Sequence, residues 1–217
     1  MRYSLTFRAI HWTNFNSTAL IGDSNFGQIQ FGDGKGKVGA STPGVRLWAP
    51  TIKEIDPLCS SSYRNTVLMV GTNDLKNNIP DKQVYDLYHS YKTKVALIRK
   101  FNPRARIFVC PVLPTRVHEI NRRINIFNNL ILDDLVQSNL NVVFVRDFID
   151  FLDKSTNLLN TRLSKGDDLH LNKRGVGLLV KLLKNSIFRN RNRNLVHSPR
   201  LYSNALRGEP PATRPAG

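Results

Sequence analysis

Five short apolar runs, each closed by a turn-forming residue and separated by helix-patterned segments, constrain this chain more than any other feature. The first is Thr18-Ala19-Leu20-Ile21, stopped by Gly22-Asp23-Ser24, and a shorter second sits at Lys37-Val38, stopped by Gly39-Ala40. Thr66-Val67-Leu68-Met69-Val70 ends at Gly71-Thr72-Asn73-Asp74, Ala105–Cys110 ends at Pro111, and Val142-Val143-Phe144-Val145 is the fifth. Runs that are continuous in hydrophobicity read as strands buried on both faces, as in a parallel sheet. Between them, Val84, Leu87, Tyr91, Val95 and Ile98 fall on one helix face, and Ile120, Ile124, Phe127, Ile131 and Leu135 on another. A final helix is predicted after Asn172, a good N-cap, with Leu171 and Val176 placed as a hydrophobic staple and Val176, Leu179, Leu183 and Ile187 as its buried stripe. Alternation of this kind predicts an α/β fold, a three-layer α/β/α sandwich around a five-stranded parallel sheet.

With 217 residues and 41% hydrophobic content, the chain is long enough for one domain with a sizeable core. The domain is expected over 17–188, after an N-terminal extension at 1–16. The alternation Arg189-Asn190-Arg191-Asn192-Arg193-Asn194 and the later prolines predict a disordered basic tail at 189–217. Cys59 and Cys110 have neither zinc-ligand spacing nor the number needed for a disulfide framework, which points to a reducing compartment. Arg2, Arg8 and His11 break up any apolar signal-peptide core, and no run is long enough to span a bilayer. The expectation is an intracellular protein, cytoplasmic or nuclear.

In an open parallel sheet, ligands bind at the carboxyl ends of the strands, and there the sequence puts its polar residues. Ser24 follows the first strand at the start of a helix, where backbone N–H groups and the helix dipole favour an anion. A serine hydroxyl becomes a nucleophile only beside a base whose tautomer is fixed by a carboxylate. Asp167 and His170, three residues apart before the last helix, supply that pair, with Asp168 as a nearby competitor. His11, His89, His118 and His197 have no partnered acid at suggestive spacing. Gly22-Asp23-Ser24-Asn25-Phe26 lacks the second glycine of the Gly-x-Ser-x-Gly elbow, which disfavours an α/β-hydrolase. Pro111–Arg116 follows the fourth strand at the same end and reads equally as a pocket lining or a plain connection.

Gly22-Asp23-Ser24-Asn25 near the start, a glycine after strand two, Gly71-Thr72-Asn73-Asp74, and Asp167-Asp168-Leu169-His170 near the end resemble the motif blocks of the SGNH hydrolase, or GDSL esterase, superfamily. The resemblance covers about residues 17–188. It implies a flavodoxin-like fold, Ser24 as nucleophile, His170 and Asp167 as the rest of the triad, and an oxyanion hole from Ser24, Gly39 and Asn73. Gly44 competes with Gly39 for the glycine position, and Asn25 stands where the family name has leucine. The implied chemistry is hydrolysis of an acetyl, short-acyl or lipid ester through an acyl-enzyme, with no metal and no cofactor.

The formal net charge of +16 implies a second partner class, RNA or another polyanion held by the basic surface and tail. Residues 186–217 carry six of the 32 basic residues, so most of the charge lies in the folded part, including Lys35, Lys37, Arg99, Lys100, Arg104, Arg106, Arg122, Arg123, Lys173 and Arg174. A solvated basic face accounts for it equally well. An SGNH core with high Lys and Arg also resembles esterase-type domains of retrotransposon proteins and the RNA-binding Oskar-like proteins, which lack the serine pattern. Tyr88, Tyr91 and Phe101, interleaved with Lys92, Lys94, Arg99 and Lys100, have spacing that suits core packing better than base stacking.

Overall fold

The computed structural model describes residues 15, 17–29 and 44–189. Five strands, β1 (Thr18–Gly22), β2 (Val45–Trp48), β3 (Asn65–Met69), β4 (Arg106–Val109) and β5 (Val142–Phe144), form one parallel sheet in the order β2-β1-β3-β4-β5. Its helices are α1 (Ser24–Gly27), α2 (Thr72–Leu75), α3 (Asp81–Phe101), α4 (His118–Leu130, continued by a π-helical turn over Ile131–Leu135) and α5 (Lys173–Arg189). Among the described residues, no helix is long and apolar enough to cross a membrane.

The apolar strand runs are continuous because alternate residues feed two cores. Ile21, Leu68, Val70, Ile107 and Val109 face one side and pack with Val84, Tyr88, Tyr91, Val95 and Ile98 of α3 and Ile124 and Phe127 of α4. Leu20, Val67, Met69 and Phe108 face the other and pack with Phe26 of α1 and Leu179, Leu183 and Ile187 of α5. The α3 stripe differs from expectation in one place, since Tyr88 is buried and Leu87 only partly so. The cap of α5 is as expected: Asn172 Oδ1 accepts from the Arg174 and Gly175 N–H groups at 2.9 and 3.0 Å.

The second strand differs. The run expected at 37–38 and Gly39 lie outside the described residues, and the strand that pairs with β1 is Val45–Trp48, with Ala19 opposite Val45. It pairs with one neighbour in the described sheet and its residues alternate between partly buried and exposed, so the continuous apolar signal of the inner strands is missing. Gly44 directly precedes this strand, at the end of the parallel sheet opposite to Ser24.

Candidate active site

The order β2-β1-β3-β4-β5 reverses direction between β1 and β3, and crevices form at such switch points outside the carboxyl ends of the strands. Ser24 leaves β1 there and Asn73 leaves β3. The turn into α1 is tight. A Cβ on Gly22 would stand 2.5 Å from the Phe26 ring and 2.8 Å from the Met69 carbonyl, so only glycine lets α1 start directly off the strand. Asp23 caps α1, its carboxylate accepting from the Asn25 N–H at 3.0 Å. Burial pushes the Asp23 carboxyl up, opposed by that bond, by a bond from Thr72 and by the nearby His170 and Lys76.

Hydrogen bonds tie the strand-end loops together. The Ala49 N–H donates to the Gly22 carbonyl at 3.0 Å, joining the ends of β1 and β2. Asn73 Nδ2 donates to the Pro50 carbonyl at 2.9 Å, and Asp74 Oδ2 accepts from the Ile52 N–H at 3.1 Å, joining β3 to β2. Gly71, with φ of 134°, makes the turn from β3 into α2, a conformation that favours glycine. A carboxamide carries two N–H donors, so the bond to Pro50 fixes the Asn73 side chain and leaves one donor for a ligand. Burial raises Asp74 to about 6, with Glu54 and Asp23 adding to the shift.

From the other end of the chain comes the loop before α5. Asp167 Oδ1 accepts from the N–H groups of Leu169 at 3.0 Å and His170 at 2.6 Å, while its Oδ2 meets His170 Nδ1 at 2.9 Å. His170 Nε2 stands 2.9 Å from Ser24 Oγ. The structure therefore brings Ser24, His170 and Asp167 into one hydrogen-bonded line. The bonds to the His170 and Leu169 N–H groups, with the imidazole, hold the Asp167 carboxyl below its ordinary range. His170 and Asp167 are both open to solvent, with side chains 37% and 50% exposed. Asp168 makes no side-chain bond to His170; its carbonyl accepts from the Arg116 N–H at 3.0 Å.

The Pro111–Arg116 segment is the brace beneath that loop. It is buried up to Thr115, with Asn128 bonding the N–H and carbonyl of Val112 and Asn121 those of Thr115. His89 and His118 are exposed, away from this line of bonds, and His11 and His197 lie outside the described residues. Among the described residues, no group of three His, Cys, Asp or Glu side chains comes together as a metal site.

Of the oxyanion candidates, Ser24 and Asn73 stand on neighbouring strand ends. Gly39 lies outside the described residues. The residues that follow β2 are Ala49-Pro50-Thr51, whose N–H groups are engaged with Gly22 and Glu54 or, for proline, absent. Two side chains packed around α1 carried no sequence signal. Trp48, 62% exposed at the end of β2, leans over Gly27 of α1, and Asn25 is buried against the His170 loop.

Several basic residues expected on a solvated face serve the fold instead. Arg99 donates to the carbonyls of Leu140, Pro103, Ala105 and Asn141, and the buried Arg123 to that of Leu75. Tyr88 and Tyr91 are core residues, and Tyr88 Oη donates to Asp134 at 2.6 Å, whereas Phe101 is 43% exposed.

No protein-family model matches the chain, and no curated protein matches it. Solved structures do. A GDSL-like lipase from Bacteroides thetaiotaomicron is similar at 14% identity and a TM-score of 0.58, over 80% of this chain and 88% of that one. A carbohydrate esterase family 3 protein from Talaromyces cellulolyticus gives 17% identity and 0.55, over 80% and 96%. The OSK domain of Drosophila Oskar gives 14% and 0.54, over 78% and 87%. This chain has the fold of the GDSL, or SGNH, hydrolases.

Proposed function

We propose that the chain is an SGNH-type serine esterase that hydrolyses carboxylic esters through an acyl-enzyme. The observation that carries the reading is the line from Ser24 Oγ through His170 Nε2 and Nδ1 to Asp167 Oδ2, each contact at 2.9 Å. With Asp167 accepting the Nδ1 proton, Nε2 is left as an acceptor facing the hydroxyl. Ser24 Oγ attacks the ester carbonyl as its proton passes to Nε2. The tetrahedral oxyanion is met by the Ser24 N–H and the second Asn73 Nδ2–H, with the Gly39 N–H as the third donor the family pattern calls for. Collapse breaks the bond to the alkoxy group, which leaves with the proton from Nε2. Water then attacks the acyl-enzyme with His170 again as base, releasing the acid and restoring Ser24. These steps draw on no metal and no cofactor. The exposed indole of Trp48, over Gly27 at the far end of the short helix that Ser24 begins, suits an acetyl, short-acyl or lipid ester with an apolar part.

The test is labelling with a fluorophosphonate probe and location of the modified residue. Ser24 is expected to carry the label, and Ser24→Ala, folded, to lose hydrolysis of p-nitrophenyl acetate by about 10⁴ to 10⁶ in kcat. A label on another residue, or turnover unchanged in Ser24→Ala, refutes the assignment.

The charge of +16, with Arg116, Arg162, Lys165, Lys173 and Arg174 exposed on segments flanking the His170 loop, favours a second activity, the binding of RNA or another polyanion. Contacts to phosphates carry little sequence information, so binding is expected to tolerate sequence and fall steeply with salt. Deleting 189–217 is expected to weaken it and leave ester hydrolysis unchanged. No binding to single-stranded RNA at low salt refutes this second reading.

A further inference from the structure

We propose that Asn25, the residue directly after the nucleophile, is the positioning residue that sets the distance between His170 and Ser24. Its side chain is 2% exposed, and its carboxamide grips the chain on both sides of the histidine. Oδ1 accepts from the Leu171 N–H at 3.1 Å, and Nδ2 donates to the Leu169 carbonyl at 3.4 Å. The amide thus takes the place of one rung of backbone pairing between segments 146 residues apart. Asn25 is itself held, its N–H donating to Asp23 at 3.0 Å and its Oδ1 also accepting from Gln28 Nε2 at 3.4 Å.

The other supports of the loop do not reach the nucleophile. Asp167 shapes the loop from inside, the Lys165 N–H donates to the His170 carbonyl at 2.9 Å, and the Arg116 N–H ties Asp168 to the brace segment. Among the described residues, the hydrogen bonds joining Ser24–Gln28 to 167–171 are those of Asn25 and the Ser24–His170 bond itself. A closed ring results: Ser24, the peptide to Asn25, its carboxamide, the backbone at 169–171, the imidazole and Ser24 again. A displacement of α1 carries the base with the nucleophile. The role needs an acceptor and a donor on one short side chain, which asparagine has, aspartate half has and leucine lacks.

This inference rests on the esterase reading, and its test is built to separate the two. Asn25→Leu keeps the volume and removes both bonds. It is expected to lower kcat on p-nitrophenyl acetate by about 10²-fold, the scale of an ångström-sized misplacement, with KM within about twofold. The nitrogen-15 shift of His170 Nε2, assigned with His170→Asn, is expected to move towards that of a free acceptor as the bond to Ser24 lengthens, while Nδ1 stays protonated against Asp167. Asn25→Asp keeps the acceptor for Leu171, is expected to fall between the two in both readouts, and stands in if the leucine variant does not fold. Wild-type turnover with neither kcat nor the Nε2 shift moved in a folded variant overturns the positioning role and leaves the esterase reading standing. Absent wild-type turnover with a moved Nε2 shift overturns the esterase reading and leaves the positioning role, and absent turnover with an unmoved shift overturns both.

Discussion

Replacing Asp167 by asparagine removes one charge and almost no volume, yet the geometry dictates a specific failure. Two backbone N–H groups, of Leu169 at 3.0 Å and His170 at 2.6 Å, converge on Oδ1. An amide nitrogen placed there would set N–H against N–H, so the amide oxygen takes that site and the NH₂ turns towards His170 Nδ1. Nδ1 must then accept, which puts the ring proton on Nε2, where it faces Ser24 Oγ at 2.9 Å. A protonated Nε2 cannot take the serine proton. The expected loss in Asp167→Asn is about 10⁴ in kcat at neutral pH, equivalent to about 5.5 kcal/mol of transition-state stabilisation. The assay is p-nitrophenyl acetate hydrolysis by protein whose circular dichroism matches wild type, alongside the His170 nitrogen-15 spectrum, which is expected to report a proton on Nε2. Activity within about tenfold of wild type refutes the reasoning, as does an unchanged tautomer.

Two further outcomes follow from the strand-end network. Asn73→Ala is expected to lower kcat by about 10² to 10³, because one donor to the oxyanion is lost among several, and a loss as complete as that of Ser24→Ala would make Asn73 structural instead. Asp74, raised on folding from 3.8 to about 6, binds a proton more tightly in the folded state, so the cost of its charge is absent below the lower value, accumulates between the two and is complete above the upper one. Asp74→Asn is therefore expected to match wild type in urea stability at about pH 3 and exceed it at about pH 8 by about 1–2 kcal/mol, allowing for solvent screening. An equal difference at both pH values would refute that assignment.

Where the sequence was legible, the physics was local. β1, β3, β4 and β5 lie buried between two cores, and their apolar runs marked them to within a residue or two. β2 was missed because Val45-Arg46-Leu47-Trp48 buries only one face and so alternates. The Asp167–His170 pair could be read because three residues of one loop hold it. Pairing it with Ser24 required the order of the motifs, since no local pattern reports a contact across 146 positions. Asn25 and Asp74 went unread for the same reason. Asn25 looks like a variable neighbour of the serine until Leu169 and Leu171 are folded against it, and Asp74 looks like turn chemistry until burial beside Ile52 sets its proton affinity.

The openness of the Asp167–His170 pair has a consequence for how substrates are ranked. With the two side chains 50% and 37% exposed, water screens their attraction while the site is empty. In an esterase of this geometry the ester displaces that water, and the apolar part of the substrate becomes the medium through which Asp167 acts on the imidazolium as it forms. The substrate thus lends the enzyme some of its catalytic field. Bulkier apolar esters would then gain in kcat as well as in binding, even where their extra atoms touch nothing that reacts.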